Sequence, residues 1–266
     1  KDILTLDLDT LKYRANKKAS FATLELTKTI EKPIDRFKVL VTGKDKAGDF
    51  YRKNFASMFQ YCSNRIPEIT DAFYKIDDAM KAGFGWENGP FEIWDAIGVE
   101  KGIELMKAEG YQPASWVTDM LASGNTSFYS IKDGATHFYS ITNKKVEKIP
   151  GQDAFIILNN IRESKKIWNN SDSIITDLGD GIINLEFTSK MNSIGAGVLQ
   201  GINKAIDIAE KDYNGLVIGN QGANFSVGAN LGMIFMMAVE QEYDELNMAI
   251  KMFQDTMMRC RYSAIP

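Results

Sequence analysis

Histidine occurs once in these 266 residues, at His137, and cysteine twice, at Cys62 and Cys260. One imidazole, in a segment that reads as a hairpin, makes a His-based acid–base pair, a catalytic triad or an HExxH zinc site hard to build. His137 is therefore expected to be structural or at the surface. Two distant cysteines without CxxC spacing exclude a disulfide framework and a zinc cluster, and suit a reducing compartment. No metal site is expected. There is no GxGxxG or GxxxxGK[ST] loop to cradle a nucleotide phosphate. The longest apolar run, Met233–Val239, is too short to span a bilayer, and the opening KDILTLDLDT has neither the basic start nor the apolar core of a signal peptide. A cytoplasmic protein is expected. Positive charge is not in excess either: 31 Lys and Arg face 35 Asp and Glu, a net −4. The pairs Lys17-Lys18, Lys144-Lys145 and Lys165-Lys166 sit in mixed sequence and read as solvated faces, so no nucleic-acid partner is expected. No initiator methionine is present, and Pro266 is an unusual way to leave a helical segment; the expectation is a fragment.

What is present is an ordinary globular composition, 44% apolar and 25% charged, sufficient for one large or two modest domains. From about Ser20 to Leu121 apolar residues recur at helical spacing, as in Phe50-Tyr51…Phe55…Met58-Phe59…Cys62 and Ile69…Phe73…Ile76…Met80. Pro67 suits the first turn of the second of these helices. Gly83, Gly85, Gly89 and Pro90 form a turn, Phe91–Trp94 resumes a helix that Gly98 ends, and Gly102–Gly110 is one more. After Gly124 the period changes. Ser127–Ile131, Asp133-Gly134 and His137–Ile141 spell a hairpin, since Asp-Gly accepts the positive φ of a tight turn. Phe155–Leu158 and Ile174-Ile175 are strand candidates. Thereafter Ile182–Thr188 reads as a strand, Ala196–Lys211 as a helix, Gly215–Gly219 as a buried strand, then a loop, a helix from Ala229 and a last helix striped by Tyr243, Leu246, Ile250, Phe253 and Met257. That alternation argues α/β with parallel pairing.

Two segments carry more than punctuation. Gly83–Asp95, GFGWENGPFEIWD, packs three glycines and a proline around two aromatics; from physics alone it is a helix-connecting corner. With Asn64–Ile69 before it and Gly98-Val99 after it, the string resembles the C-terminal helical domain of the 3-hydroxyacyl-CoA dehydrogenases over about Ser20–Leu121. The resemblance implies NAD-dependent oxidation of 3-hydroxyacyl-CoA by a complete enzyme. It implies that Asn64 occupies the position of an asparagine able to contact substrate beside a His–Glu pair. That pair and the NAD-binding domain have no counterpart here, so Asn64 is expected to be structural, capping the start of a helix.

The second segment is Asn220–Leu231, NQGANFSVGANL. Together with Asp180–Phe187, Lys190-Met191-Asn192 and Gly215–Ile218 it resembles the first half of a crotonase (enoyl-CoA hydratase/isomerase) fold, from about Thr176 to Pro266. Small residues at Val227-Gly228-Ala229 let backbone approach a thioester carbonyl, and a helix beginning near Ala229 aims N–H groups at the enolate-like oxyanion of hydration. The resemblance implies that the Ala229 N–H is one of two oxyanion donors, and that Ala223, Asn224, Phe225, Ser226, Val227, Gly228, Asn230 and Leu231 border the acyl-CoA. Asn230 stands where the family often has Asp, so a charge-dependent role lapses there. The second donor and the two glutamates of the reaction would follow Pro266, and Glu240, Glu242 and Glu245 precede that point. Met233, Met236, Met237, Met248, Met252, Met257 and Met258 are expected to fill core, the alternative being an acyl-chain pocket.

The expected fold is mixed: an all-α dehydrogenase C-terminal-type domain at 1–124, a β-rich linker at 125–175, and the α/β N-terminal half of a crotonase fold at 176–266. The expected role is part of a fatty-acid β-oxidation enzyme that takes acyl-CoA and NAD. The fragment itself would be inactive, and homo-oligomerisation is left open. The rivals are a non-catalytic interaction module and a crotonase-fold isomerase.

Overall fold

The computed structural model describes residues 3–30, 32–222 and 224–266. They form two compact units, one within 1–130 and 137–148, the other within 131–136 and 149–266.

The first unit opens with an exposed antiparallel pair, β1 (Leu4–Leu6) and β2 (Tyr13–Ala15). Seven helices follow: α1 (Ala22–Thr27), α2 (Pro33–Thr42), α3 (Lys46–Asn64), α4 (Tyr74–Phe84), α5 (Pro90–Ile97), α6 (Val99–Ala108) and α7 (Ser115–Ala122). The strands β3 (Tyr129–Lys132), β4 (Ala135–Ser140) and β5 (Lys145–Lys148) make a sheet in that order, of which residues 131–136 are assigned to the second unit. Asp133 and Gly134 both take positive φ, 52° and 73°, as the hairpin reading requires.

Aromatic rings fill this core. Phe59 stacks on Trp94 at 4.7 Å, and Phe73 lies parallel to Trp116 at 5.9 Å. Each buried indole N–H has an acceptor, Trp94 donating to the Val99 carbonyl and Trp116 to that of Ser63, both at 3.0 Å. Two local expectations fail here. Pro67 does not open a helix: residues 65–69 form a turn, Thr70 Oγ1 accepts from the Ala72 amide, and α4 starts only at Tyr74. Asn64 is the last residue of α3 rather than the start of a helix. It is exposed and donates its amide to the Gln60 carbonyl at 2.8 Å.

The glycine–proline string gains its purpose from an acid on the preceding helix. Gly89, at the N-cap of α5, has no side chain to satisfy the first-turn amides. Asp77 of α4 does so instead, accepting from Phe91 N at 2.9 Å and Glu92 N at 3.0 Å, while Glu92 Oε2 takes Gly89 N at 2.8 Å. A Cβ on Gly89 would stand 2.3 Å from that of Asp77, so glycine is what lets the acid in.

The second unit contains α8 (Leu158–Ile161) and a four-stranded sheet, β6 (Lys166–Asn169), β7 (Ser173–Gly179), β8 (Ile182–Phe187) and β9 (Gly215–Ile218), in that order. The first three strands are antiparallel and β9 is parallel to β8, so part of the sheet departs from the parallel expectation. The β8–β9 crossover is α9 (Ala196–Asp212), which a parallel pair needs. Its buried stripe, Val198, Leu199, Ile202, Ala205, Ile206 and Ala209, packs on Ile175, Ile183, Leu185 and Phe187. Two helices close the chain, α10 (Leu231–Val239) and α11 (Tyr243–Arg261). Phe253, Met257 and Cys260 of α11 reach the α9 core.

Phe155–Leu158 is not a strand. Its backbone is extended at Phe155 and Ile157, yet what it pairs with is a side chain: Gln221 donates to the Ile156 carbonyl at 2.6 Å and accepts from Leu158 N at 2.7 Å. One carboxamide thereby supplies the donor and acceptor that a neighbouring peptide would have offered.

Candidate functional site

The segment between β9 and α10 is built on a run of carboxamides. Gly219 N extends the sheet by donating to the Leu185 carbonyl at 3.1 Å, and Asn184 of β8 donates to the Gly219 carbonyl, also at 3.1 Å. Asn220 accepts from Phe187 N and donates to the Phe225 carbonyl, each at 2.7 Å. Asn192 donates to the Asn224 carbonyl at 2.9 Å and accepts from the Ser226 hydroxyl at 2.6 Å. That hydroxyl accepts in turn from Gly228 N at 2.9 Å. The turn bearing Asn192 is itself strained at one residue: Met191 and Asn192 both hold left-handed backbone, φ 55° and 54°, which asparagine tolerates but a long side chain such as methionine adopts at a cost of about 1–2 kcal/mol. A loop held at so many points keeps its main-chain groups in fixed directions.

At its end Gly228 takes φ 83°, and its carbonyl accepts from Ile194 N at 2.9 Å in a single parallel bridge between Ile194 and Ala229. Ala229 is exposed, and among the described residues its N–H has no acceptor. The helix starts two residues later than expected. Asn230 is its N-cap, Oδ1 accepting from Gly232 N at 3.0 Å and Met233 N at 3.3 Å. The first-turn donors that the sequence suggested for an oxyanion are thus partly consumed by the chain itself, and Ala229 N–H stands just before them.

Of the other residues in the sequence-derived site, Ala223 lies outside the described residues. Asn224 contributes its carbonyl to the Asn192 clamp, and Ser226 is a structural relay. Phe225 leans on Phe187 with ring centroids 5.7 Å apart yet remains exposed, as do Val227 and Leu231. Of the seven methionines Met257 packs against the core as expected and Met237 is half-buried, but the other five do not behave as core. Met233, Met236, Met248, Met252 and Met258 are exposed, and α10 buries no residue at all. The reason is that α10 packs chiefly along α11, leaving the rest of its apolar circumference uncovered. Glu240 is not beside Ala229: it caps the far end of α10, roughly 15 Å away at 1.5 Å per residue. Glu186 of β8 is buried and committed to Arg162 by two hydrogen bonds of 3.0 and 2.7 Å.

Residue-type reasoning did not single out Gln221, Asn220 or Asn184 as builders of this loop. The available signal was Asn184, an amide flanked by Ile183 and Leu185 in a largely apolar strand. It also missed a buried acidic cluster in the first unit. Asp77 accepts from Tyr129 Oη at 2.8 Å, and Asp95 accepts from Phe128 N at 2.7 Å and Tyr129 N at 2.8 Å. Burial pushes each carboxyl from 3.8 to about 7 against the hydrogen bonds that favour the anion, and repulsion from neighbouring acids adds to the rise. Burial also raises the Cys62 thiol to about 11, which leaves it no thiolate character near neutrality. Among the described residues no group of three or more ligating side chains could hold a metal, and no helix is long and apolar enough to cross a membrane.

No family model and no solved structure matches the chain. It is 40% identical, over 267 aligned residues and its whole length, to a probable 3-hydroxyacyl-CoA dehydrogenase of Bacillus subtilis, covering 34% of that protein. It is 25% identical over 82% of its length to a Rickettsia felis protein provisionally named a fatty acid oxidation complex trifunctional enzyme, covering 27% of it. A Rickettsia prowazekii protein of the same provisional name is 26% identical over 85% of the chain, which covers 28% of it. The chain spans about a third or less of the length of these curated relatives.

Proposed function

We propose that these residues contribute the helical C-terminal-type domain and the first half of a crotonase-type acyl-thioester site to a β-oxidation enzyme of the relatives' length. Such an enzyme would hydrate 2-enoyl-CoA and oxidise 3-hydroxyacyl-CoA with NAD. The observation that carries the reading is the Ala229 N–H, exposed and without an acceptor among the described residues, on a loop whose direction is fixed by Asn184, Asn192 and Asn220. A donor held in place before the reaction stabilises a developing enolate oxygen without reorganising, and losing one such donor costs about 3 kcal/mol in the transition state. The names of the relatives support the acyl-CoA class of ligand.

The division of labour follows from what the residues can do. Without a glycine-rich dinucleotide loop in the sequence, no step through NAD is assigned to these residues. With Glu186 tied to Arg162 and Glu240 a helix length away, neither of these carboxylates is placed to move the proton or the water. The chain alone is therefore expected to bind acyl-CoA but not to turn over crotonyl-CoA. Loss of the conjugated-thioester absorbance clearly above a buffer control would contradict that assignment.

Binding is tested by calorimetric titration with octanoyl-CoA. Ala229→Pro, which removes the single N–H, should abolish binding while thermal unfolding stays unchanged. Indifference to the substitution would favour the rival reading of an interaction module, which the uncovered apolar surface of α10 supports.

A further inference from the structure

The extended stretch before α8 has no sheet to belong to, yet it is fastened to the thioester loop at 2.6 and 2.7 Å through Gln221. Both bonds go to backbone atoms on either side of Ile157, so they fix the direction of the stretch as a strand pairing would. Asn160, within α8, adds a hold on its other side by donating to Thr136 Oγ1 at 2.9 Å. Held this way, the stretch keeps Leu158 buried and leaves Phe155 and Ile156 exposed, 58% and 44%. Two large apolar side chains displayed on a segment that is clamped rather than loose are poor economy for solubility alone. Phe225 and Val227, four and six residues beyond Gln221, are displayed likewise, 58% and 48% exposed.

We propose that Phe155–Ile157 is an outer wall of the acyl-thioester site, with Gln221 as the positioning residue that docks it, and that Phe155 and Ile156 accept the hydrocarbon of the acyl chain. This rests on the thioester reading of the Ala229 loop. The chemistry of the wall selects the part of the ligand it meets. Residues 155–158 are Phe, Ile, Ile and Leu, bringing no side-chain donor, acceptor or charge, so they suit an alkyl chain and offer nothing to the amides or phosphates of the CoA moiety. The wall therefore discriminates by chain length and leaves the CoA handle alone.

The test uses the whole 266-residue chain and three probes, CoA, acetyl-CoA and octanoyl-CoA, titrated calorimetrically. Phe155→Ser/Ile156→Ser alters only exposed side chains and should weaken octanoyl-CoA by about tenfold, the equivalent of part of one buried apolar side chain, with CoA and acetyl-CoA unchanged. Gln221→Met keeps the length of the side chain and removes both hydrogen bonds. It should lower octanoyl-CoA affinity similarly, and Gln221→Glu, which retains the acceptor for Leu158 N, should recover part of it. A merely structural Gln221 would move all three ligands together or only the melting temperature. Equal octanoyl-CoA affinity in wild type and the double serine variant would overturn the wall while leaving the thioester site standing. Failure of the wild type to bind any of the three probes would overturn the thioester reading and the wall with it.

Discussion

Raising the pH from 5 to 8 should destabilise the first unit. Its two buried acids, Asp77 and Asp95, both titrate near 7, against 3.8 in an unfolded chain. Between those values the folded state keeps protons that the unfolded state has released. Their stabilising contribution is therefore complete below about pH 4 and is lost as the pH climbs through 7. One carboxyl displaced by about three units corresponds to about 4 kcal/mol. Because repulsion from Asp77 is part of what raises Asp95, one proton's worth is the safer expectation for the pair, and the two pH units between 5 and 7 make it on the order of 3 kcal/mol over this range. Tyr129 does not relieve the effect, since burial and Asp77 drive its hydroxyl to remain protonated and donating. Nor does Lys81, which is spent on Glu92 at 2.7 Å and Asp78 at 3.4 Å. Native-state hydrogen exchange at Phe91, Glu92, Phe128 and Tyr129, the amides that face these acids, reads the local opening energy directly. A His137→Gln background removes the only imidazole from the comparison. Asp77→Asn should cross the wild-type curve. At pH 5 it is worse by about 1–2 kcal/mol, because one amide of α5 loses its acceptor, and by pH 8 the deficit closes or reverses. Protection that is flat or increases from pH 5 to 8 would refute the assignment of these two acids.

Other substitutions probe the same logic elsewhere. Gly89→Ala sets a methyl group against Asp77 and should cost about 2–3 kcal/mol in urea unfolding, although its φ of −80° is open to any residue. A loss below 0.5 kcal/mol, by the same measure of packing strain, would mean that Asp77 can step aside. Arg162→Ala strands Glu186, whose side chain is 5% exposed, and should cost about 3–5 kcal/mol, whereas Arg162→Ala/Glu186→Leu should regain most of it in a thermal melt. Phe235→Ser/Met236→Ser alters only exposed positions of α10, so the melting temperature should hold while light scattering at high concentration falls.

Where one residue's chemistry dictates the local outcome, the sequence was legible. Asp133-Gly134 turned as its positive φ preference demands, and the three-and-four stripe of Ala196–Asp212 packed as written. What escaped was pairing decided at a distance. Phe155–Leu158 has the composition of a strand, and nothing local says that its partner is a glutamine 65 residues on. Asn64 has the chemistry of a cap at either end of a helix, and only the turn at 65–69 places it at the C-terminal one. In the Asn220–Leu231 loop, Asn230 Oδ1 accepts from the Gly232 and Met233 amides, the donors that composition alone would have offered to a ligand.

The ring stacks of the first unit have a practical corollary in optics. Three of the four tryptophans, Trp86, Trp94 and Trp116, belong to that unit, and two of them lie nearly parallel to a phenylalanine in a dry core; the second unit has Trp168 alone, partly buried. Indole emission from this chain is therefore dominated by the helical unit, with a blue-shifted component from Trp94 and Trp116. The α/β unit can melt with little change in colour, so a fluorescence trace read as unfolding of the whole chain would be following only part of it.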